Sequence, residues 1–183
     1  MKLISDNHHL KQDLPVINLN YYILELIDKL IPGHETNSHI FQLLDDFYAF
    51  QTKSDVLLAL ELITIFQIKI LDILGYRPML DNCIVCADPL LPDETRFPAS
   101  RGEVGYICKK HMGSDAEANS TPDVILKIQK FTLAHSTLAA SRLNVNIQQL
   151  KGLFTIQHQW LQSIIEKRLY TSGIINTIFL TLS

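Results

Sequence analysis

All three cysteines of the chain lie in one turn-rich segment, and their spacing restricts how that segment can fold. Two residues separate Cys83 from Cys86, and the same spacing separates Cys108 from His111 after a stretch of 21 residues. Two such pairs suit tetrahedral Zn²⁺, because each tight turn brings two ligands to about 2.0–2.3 Å from the metal. Residues 80–112 are poor in apolar side chains, so metal binding would supply much of their folding free energy. The spacing predicts one structural Zn²⁺ per chain, held by all four side chains.

Three other interpretations of these residues stay open. A redox pair usually opens a helix, whereas Cys83 and Cys86 follow a predicted helix and lie in a loop. A catalytic zinc usually keeps three protein ligands and one open position, whereas four ligands are offered here. The cysteines could also be free and near one another by chance. Five of the other histidines have no cysteine near them in the sequence: His8, His9, His34, His39 and His158. A sixth, His135, could take part in the site only if it packed against the cysteines.

The composition favours a folded, mostly helical protein. The chain has 183 residues, 47% of them apolar and 19% charged, with only 7 Gly and 7 Pro. This is enough apolar material for a core and suits one domain with a small appendage. We therefore expect a mainly α fold, a multi-helix bundle carrying a small zinc-binding β-hairpin.

Apolar periodicity predicts three helices before the cysteines. Residues 19–30 repeat at three- and four-residue steps until Pro32-Gly33, and residues 38–51 form a second helix. A third helix is expected to begin at Ser54 as its N-cap and to end before Gly75. Its apolar residues lie on more than one side, so it should be the central, most buried helix.

Residues 76–120 lose helical periodicity, and helices resume after them. Residues 96–107 suggest two short strands joined by a turn at Arg101-Gly102. Thr121-Pro122-Asp123 predicts a helix start with Thr121 as the cap, and helices are expected at 122–140 and 146–170. The β-branched tail 173–183 is expected to be extended against the helices. The predicted domains are a linker (1–18), a helical domain (19–79 and 121–183) and a zinc module (80–120).

The charge is unevenly distributed along the chain. The net charge is −3, but residues 21–62 hold two basic and seven acidic groups, whereas residues 124–183 hold six basic groups and one acidic group. The acidic segment 21–62 (the acidic front) and the basic segment 124–183 (the basic back) could select different partners. Solvated helix faces of mixed sign would explain the pattern equally well. The basic residues of the back are Lys127, Lys130, Arg142, Lys151, Lys167 and Arg168.

Several function classes find no support in the sequence. The start of the chain becomes polar at once, no apolar run reaches about 18 residues, and no disulfide framework is visible, so a cytoplasmic location is expected. There is no Gly-rich phosphate loop, no Gly-x-Ser-x-Gly and no His-Glu-x-x-His. The adjacent Asp45 and Asp46 point to different sides of a helix. We expect no enzyme activity.

Several segments together carry a family resemblance. Residues 21–30, 41–44 and 66–78 lead directly into Leu80-Asp81-Asn82-Cys83, and residues 166–172 close the pattern. This succession resembles the RecO family of bacterial recombinational DNA-repair mediators over residues 10–172. Its most specific part is the Leu-Gly-Tyr-x-Pro link at 74–78, immediately before the cysteine pair.

The resemblance implies a non-enzymatic role in repair, associated with the nucleoid. Such proteins bind and anneal single-stranded DNA, contact the C-terminal tail of single-stranded-DNA-binding protein through the helical domain, and work with RecR to load RecA. Family members begin with an OB fold, which this sequence is expected to lack, so residues 1–18 are interpreted as the linker that would follow it. OB folds supply base stacking and a basic groove, and DNA binding here should therefore be weak.

The remaining basic residues are the candidates for DNA contacts, with ordinary solvated charges as the alternative. An acidic tail with an apolar end would need an apolar pocket rimmed by Lys or Arg. Two other functions stay open: an unrelated helical interaction module stapled by zinc, and a zinc-dependent hydrolase. The DNA candidates are Lys109, Lys110, Arg142, Lys151, Lys167 and Arg168.

Overall fold

A computed structural model describes residues 13–31, 37–51, 55–92, 95–99, 102–111, 120–165 and 167–182. In these ranges the chain forms seven α-helices and one antiparallel pair of strands, which confirms the expected mainly α fold with a small hairpin. The elements are α1 (Leu14–Leu30), α2 (Ser38–Phe50), α3 (Val56–Ile73), β1 (Arg96–Pro98), β2 (Tyr106–Cys108), a 3-10 helix (Lys109–His111), α4 (Asp123–Ala134), α5 (Thr137–Ala140), α6 (Ile147–Ile164) and α7 (Ser172–Leu182).

Helix α3 forms the centre of the helical body, as its apolar pattern predicts. It packs against α1, α2, α4 and α6, and its buried side chains run from Ala59 to Leu71. A helix surrounded on several sides needs apolar residues around most of its circumference, which α3 has. No helix in the described part of the chain is long and apolar enough to span a membrane.

Helix starts differ from the predicted ones because other side chains cap them. Asp13 caps α1 by accepting the N–H of Val16, so this helix begins at Leu14 and residues 14–18 are helical rather than part of a linker. Asp55 caps α3; the expected cap, Ser54, lies outside the described residues. Capping needs a side-chain oxygen within reach of the first free N–H groups, and neighbouring polar residues compete for that place.

The predicted helix at 122–140 is two helices. Pro122 stands at the N-cap of α4 without a side-chain cap bond, so Thr121 does not cap this helix. Helix α4 ends at Ala134, and Ser136 starts α5 by accepting the N–H of Ala139. A serine that bonds to nearby backbone offers an alternative to a continuous helix, which explains the break.

The C-terminal segment is helical, and the expected extended tail is therefore wrong. Helix α6 ends at Ile164, and α7 follows a turn, with Ile175, Ile178 and Phe179 buried against α1 and α6. These three positions share one helical face, so packing outweighs the strand preference of β-branched residues.

Glu25 fixes the turn between α6 and α7. Its carboxylate accepts the backbone N–H of Tyr170 and both the N–H and the hydroxyl of Thr171. Burial opposes the charge, but these donors favour it and lower the pKa of Glu25. The contact joins two distant segments on which the family resemblance depends, 21–30 and 166–172.

Candidate metal centre

The predicted hairpin is confirmed by antiparallel pairing of β1 with β2. The register places Arg96 opposite Cys108, Phe97 opposite Ile107 and Pro98 opposite Tyr106. In the predicted turn, Gly102 has a φ of +84°, and Arg101 lies outside the described residues. The strand pairing leads Cys108 directly into the 3-10 helix that carries His111.

A tight turn presents Cys83 and Cys86 together. The N–H of Ala87 donates to the carbonyl of Cys83 at 2.9 Å, and the N–H of Cys83 donates to the carbonyl of Asp88 at 2.8 Å. Ala87 takes the left-handed conformation, with φ 59°, and the Asn82 amide donates to its carbonyl at 2.7 Å. These bonds form the turn that a pair of ligands two residues apart requires.

Gly105 allows the two ligand-bearing segments to approach each other. The N–H of Tyr106 donates to the carbonyl of Met79 at 3.3 Å, and the N–H of Ile84 donates to the carbonyl of Tyr106 at 3.0 Å. A Cβ at Gly105, whose φ is +150°, would lie 2.7 Å from the Met79 oxygen and 2.9 Å from Ile84 Cγ2. Backbone at this distance leaves no room for a side chain.

Replacing Gly105 by alanine should lower the free energy of unfolding by about 2–3 kcal/mol, because a clash adds to backbone strain. Urea unfolding measures the loss. Gly102→Ala is the matched control: it has positive φ, but open space around its Cβ, so strain alone costs about 1 kcal/mol. A Gly102→Ala loss equal to that of Gly105→Ala would contradict the steric argument.

The structure brings the four predicted ligands into one cluster. One ligand atom from each of Cys83, Cys86, Cys108 and His111 lies within 4.8 Å of all the others. His111 Nδ1 lies 3.3 Å from Cys108 Sγ and 3.8 Å from Cys83 Sγ, and Cys86 Sγ lies 3.9 Å from Cys108 Sγ. A tetrahedral site with metal–sulfur bonds of about 2.3 Å has sulfur–sulfur edges of about 3.8 Å. The ligand atoms therefore fit the corners of a tetrahedral metal site.

The surroundings of Cys83 favour the thiolate form that a metal binds. Burial opposes ionisation, but backbone N–H groups of Cys86 and Cys108 face this sulfur and hold the pKa of Cys83 below its usual range. All three cysteines are free, and the sulfur separation of 3.9 Å between Cys86 and Cys108 is far beyond a disulfide bond. Cys83 and Cys86 lie in a turn rather than at a helix start, which disfavours the redox interpretation.

Residues that sequence reasoning missed attach the cysteine module, residues 80–111, to the helices. Tyr106 is fully buried and donates its hydroxyl to Gln129 Oε1 at 2.6 Å. Its ring packs edge-on against the Trp160 ring, with ring centres 5.4 Å apart. Arg96 is 1% exposed and pairs with Asp123 at 2.6 Å. Only the position of Tyr106 two residues before Cys108 signals an anchoring role, and nothing local marks Arg96 as buried.

The remaining histidines lie apart from this cluster where they are described. His135 stacks on the Phe131 ring of its own helix, with ring centres 4.0 Å apart, rather than against the cysteines. His158 is partly buried, stacks on Phe154, and places Nδ1 3.1 Å from the Tyr22 hydroxyl. His39 is exposed on α2. The others lie outside the described residues: His8, His9 and His34.

Two of the DNA candidates meet at a cavity beside the cluster. Lys109 and Lys110 are exposed in the 3-10 helix and line a cavity of about 390 Å³, together with Pro89, Leu91 and Thr95. Lys110 also pairs with Asp88, which lines the same cavity, at 3.3 Å. The cavity combines an apolar surface with two ammonium groups and the Asp88 carboxylate. No local sequence pattern marks Pro89, Leu91 or Thr95 as part of a site.

The other DNA candidates are spread over separate segments. Arg142 is exposed after α5, Lys151 is half-buried on α6, and Lys167 is exposed in the turn before α7. Arg168 in the same turn lies over the ring of Tyr170, 6.0 Å from its centre. Their roles in DNA binding stay predictions.

Comparison with known proteins places the whole arrangement in one family. A family model described as "Recombination protein O C terminal" matches residues 12–172, which include the four clustered side chains. A DNA repair protein RecO of Alkaliphilus metalliredigens is 23% identical over 154 residues, covering 84% of this chain and 61% of the relative. One of Roseiflexus sp. is 26% identical over 159 residues, covering 86% and 54%. One of Bacillus mycoides is 30% identical over 115 residues, covering 62% and 44%.

The chain spans between about two fifths and three fifths of the length of these relatives. The match runs through the helical body and the cysteine module alike, in the order that the sequence resemblance indicated. This chain belongs to the RecO family of DNA repair proteins and corresponds to the family's C-terminal part.

Proposed function

We propose that the chain is a non-enzymatic, cytoplasmic part of a recombinational repair mediator that acts at the nucleoid. It contacts single-stranded-DNA-binding protein and RecR, binds single-stranded DNA weakly, and supports strand annealing and RecA loading. The observation that carries the proposal is the basic, apolar cavity beside the cysteine cluster, in a chain of the RecO family. Family membership removes the alternative of an unrelated helical interaction module.

The cluster would hold one structural Zn²⁺ through Cys83, Cys86, Cys108 and His111. Three sulfurs and one imidazole nitrogen suit zinc, and four protein ligands close a tetrahedral shell. A closed shell leaves no position for an activated water, which argues against a zinc-dependent hydrolase. The metal would instead fix the 3-10 helix that carries Lys109 and Lys110.

The cavity beside the cluster has the chemistry that an acidic, apolar-ended peptide requires. Pro89 and Leu91 can contact an apolar side chain, and Lys109 and Lys110 can pair with carboxylates. This cavity lies in the cysteine module rather than in the helical domain that the family resemblance implies, and it is our candidate for the C-terminal tail of single-stranded-DNA-binding protein. The same ammonium groups can meet phosphates, so DNA contacts are expected to be weak and sensitive to salt.

Titration with a fluorescent peptide that matches the acidic tail tests this function. We expect a Kd on the order of tens of micromolar, and the Lys109→Gln/Lys110→Gln variant should weaken binding about tenfold or more, because both pairing cations are lost. Fluorescence polarisation measures both values. Lys127→Gln/Lys130→Gln removes two charges from α4 and is the matched control. Absence of binding at about 100 µM, or equal losses in both double variants, would contradict the proposal.

A further inference from the structure

A second cavity lies between α1 and α2, away from the cysteine module in sequence. It measures about 650 Å³ and is lined mainly by apolar side chains from the end of α1 and the start of α2, together with the polar Asn37 and Ser38. This volume falls within the range of about 300–1,000 Å³ that ligand pockets occupy. We call it the α1–α2 groove and define it by Ile27, Ile31, Ile40, Phe41 and Leu44.

Phe41 is the most exposed part of the groove. Its side chain is 70% exposed, although Ile40 next to it is buried in the core. Leu24, one turn before Ile27 on α1, is also 47% exposed. Isolated exposed apolar residues are common, but Phe41 is exposed on the wall of an apolar groove rather than alone on the surface.

Carboxylates flank this groove. Asp28 lies one turn before Ile31 on α1 and has a side chain 72% exposed. Asp45 is exposed and lies one turn beyond Phe41, so both project from the same side of α2. Lys29 offsets part of this charge by pairing with Asp28 at 3.0 Å. The exposed carboxylate of Asp45 remains at this edge of the groove, so complementarity favours a cationic partner.

Two of the first N–H groups of α2 are already bonded beside this groove. The side-chain oxygen of Asn37, which lines the groove, already accepts the N–H of both His39 and Ile40. Helix N-termini bind anions through such N–H groups when they are open. The groove is thus unlike the lysine-lined cavity beside Cys108, which suits an acidic ligand.

We propose that the α1–α2 groove binds a basic, amphipathic segment of a partner protein. Two apolar side chains of that segment would pack against Phe41, Ile27 and Leu44, and its Lys or Arg residues would lie beside Asp28 and Asp45. Recognition of this kind places the apolar face of a helix in a groove and sets specificity by the charges at its edge. This interaction is separate from the proposed acidic-tail site, since the two surfaces differ in sign.

Two synthetic fluorescent peptides test the proposal on the full chain. Both are 14-residue helices with leucine at positions i, i+3, i+4 and i+7; one carries lysine and the other glutamate on the polar face. We expect the lysine peptide to bind with a Kd on the order of 10 µM and the glutamate peptide to bind at least tenfold more weakly. Equal affinity for both peptides, or no binding of the lysine peptide at about 200 µM, would overturn the proposal.

Substitutions at the groove test whether the lysine peptide binds there. Phe41→Ser and Asp45→Lys should each weaken the lysine peptide about five- to tenfold, because one removes the anchor and the other reverses the charge. Leu180→Ser, with a side chain 69% exposed elsewhere, and Glu103→Lys, in the hairpin, are matched controls. Phe41 is exposed, so its variant should keep the wild-type melting temperature. Unchanged affinity in Phe41→Ser, or the same loss in Leu180→Ser, would contradict this site.

The two proposed binding sites can be tested separately, so that one proposal can be wrong while the other holds. Phe41→Ser should leave binding of the acidic tail peptide unchanged, and Lys109→Gln/Lys110→Gln should leave binding of the lysine peptide unchanged. If Phe41→Ser weakened both peptides alike, the groove would not be a separate site. If only the acidic peptide failed to bind the wild-type chain, the acidic-tail proposal alone would fall.

Discussion

Removal of the metal, or replacement of Cys86 by serine, should unfold the cysteine module and leave most of the helical signal in place. The module has two short strands, and buried residues such as Leu80, Leu90 and Tyr106 belong to the core that it shares with the helices, so it has little packing of its own to offset the entropy of ordering it. Structural zinc contributes an apparent binding free energy of about 10–16 kcal/mol in small modules. The helices keep the core around α3, which does not depend on the metal.

Hydrogen exchange with mass spectrometry, combined with far-ultraviolet circular dichroism, measures this separation. Amides of residues 80–111 should lose protection by about a hundredfold or more in Cys86→Ser, while those of α3 and α6 change little. Val85→Ser is the matched control, because Val85 lies in the same turn, is 58% exposed and offers no ligand. Retained protection in Cys86→Ser, or equal loss in Val85→Ser, would show that the ligand does not hold the module together.

Replacing Asp123 by asparagine should cause the second large effect, because it leaves the buried Arg96 guanidinium without its counter-ion. Arg96 is 1% exposed, and breaking a buried pair from one side is strongly destabilising. We expect the melting temperature to fall on the order of 10 °C. Arg96→Met should cost less, since Asp123 is partly exposed and keeps Lys127 at 2.8 Å.

The stability that the Asp123 carboxylate contributes should also decrease as the pH falls. Lys127, and then Arg96, hold the pKa of Asp123 at about 2, below its ordinary value near 4. A lowered folded-state pKa contributes stability above the unfolded value, and this contribution disappears as pH falls from about 4 through 2. The difference between wild type and Asp123→Asn should therefore shrink over that interval.

Thermal unfolding followed by circular dichroism measures both the fall in melting temperature and its dependence on pH. Lys127→Met is the comparison for a lost exposed partner: Lys127 is 73% exposed, and Arg96 keeps its counter-ion in this variant, so the melting temperature should fall less than in Asp123→Asn. Asp123→Asn melting within about 2 °C of wild type would contradict the assigned role of the buried pair.

The parts of this molecule that the sequence predicted are those that depend on nearby residues. The cluster of Cys83, Cys86, Cys108 and His111 follows from spacings of two residues, each of which requires only a local turn. The central position of α3 follows from its apolar residues alone, and the hairpin follows from residues 96–107. Local spacing also carried the Leu-Gly-Tyr-x-Pro link at 74–78 that indicated the family.

The parts that the sequence did not predict depend on contacts between distant residues. The tail 173–183 has strand-like composition, but Phe179 packs against Phe154 and the segment is helical. The burial of Arg96 is decided by Asp123 across 27 positions. The starts of α1 and α3 depend on capping bonds from Asp13 and Asp55, which a pattern of apolar residues does not reveal.

The sequence also shows how much charge each segment carries, but not where the charges lie in the fold. Summing residues identified a basic back, whereas only the fold showed that Lys109 and Lys110 share a cavity while Arg142 and Lys151 lie on separate elements. Likewise, the proposed partner of the acidic front depends on Phe41, which the fold leaves exposed beside an apolar groove. Net charge limits what can bind, and the position of the charges decides where.

Zinc K-edge X-ray absorption on the chain, purified without added metal, tests the central claim most directly. One zinc per chain is predicted, with three sulfur neighbours at about 2.3 Å and one nitrogen neighbour at about 2.0–2.1 Å. His111→Cys should convert this shell to four sulfurs without loss of metal. A chain free of zinc, or a shell that contains fewer than three sulfurs and one or more water oxygens, would contradict the closed structural site.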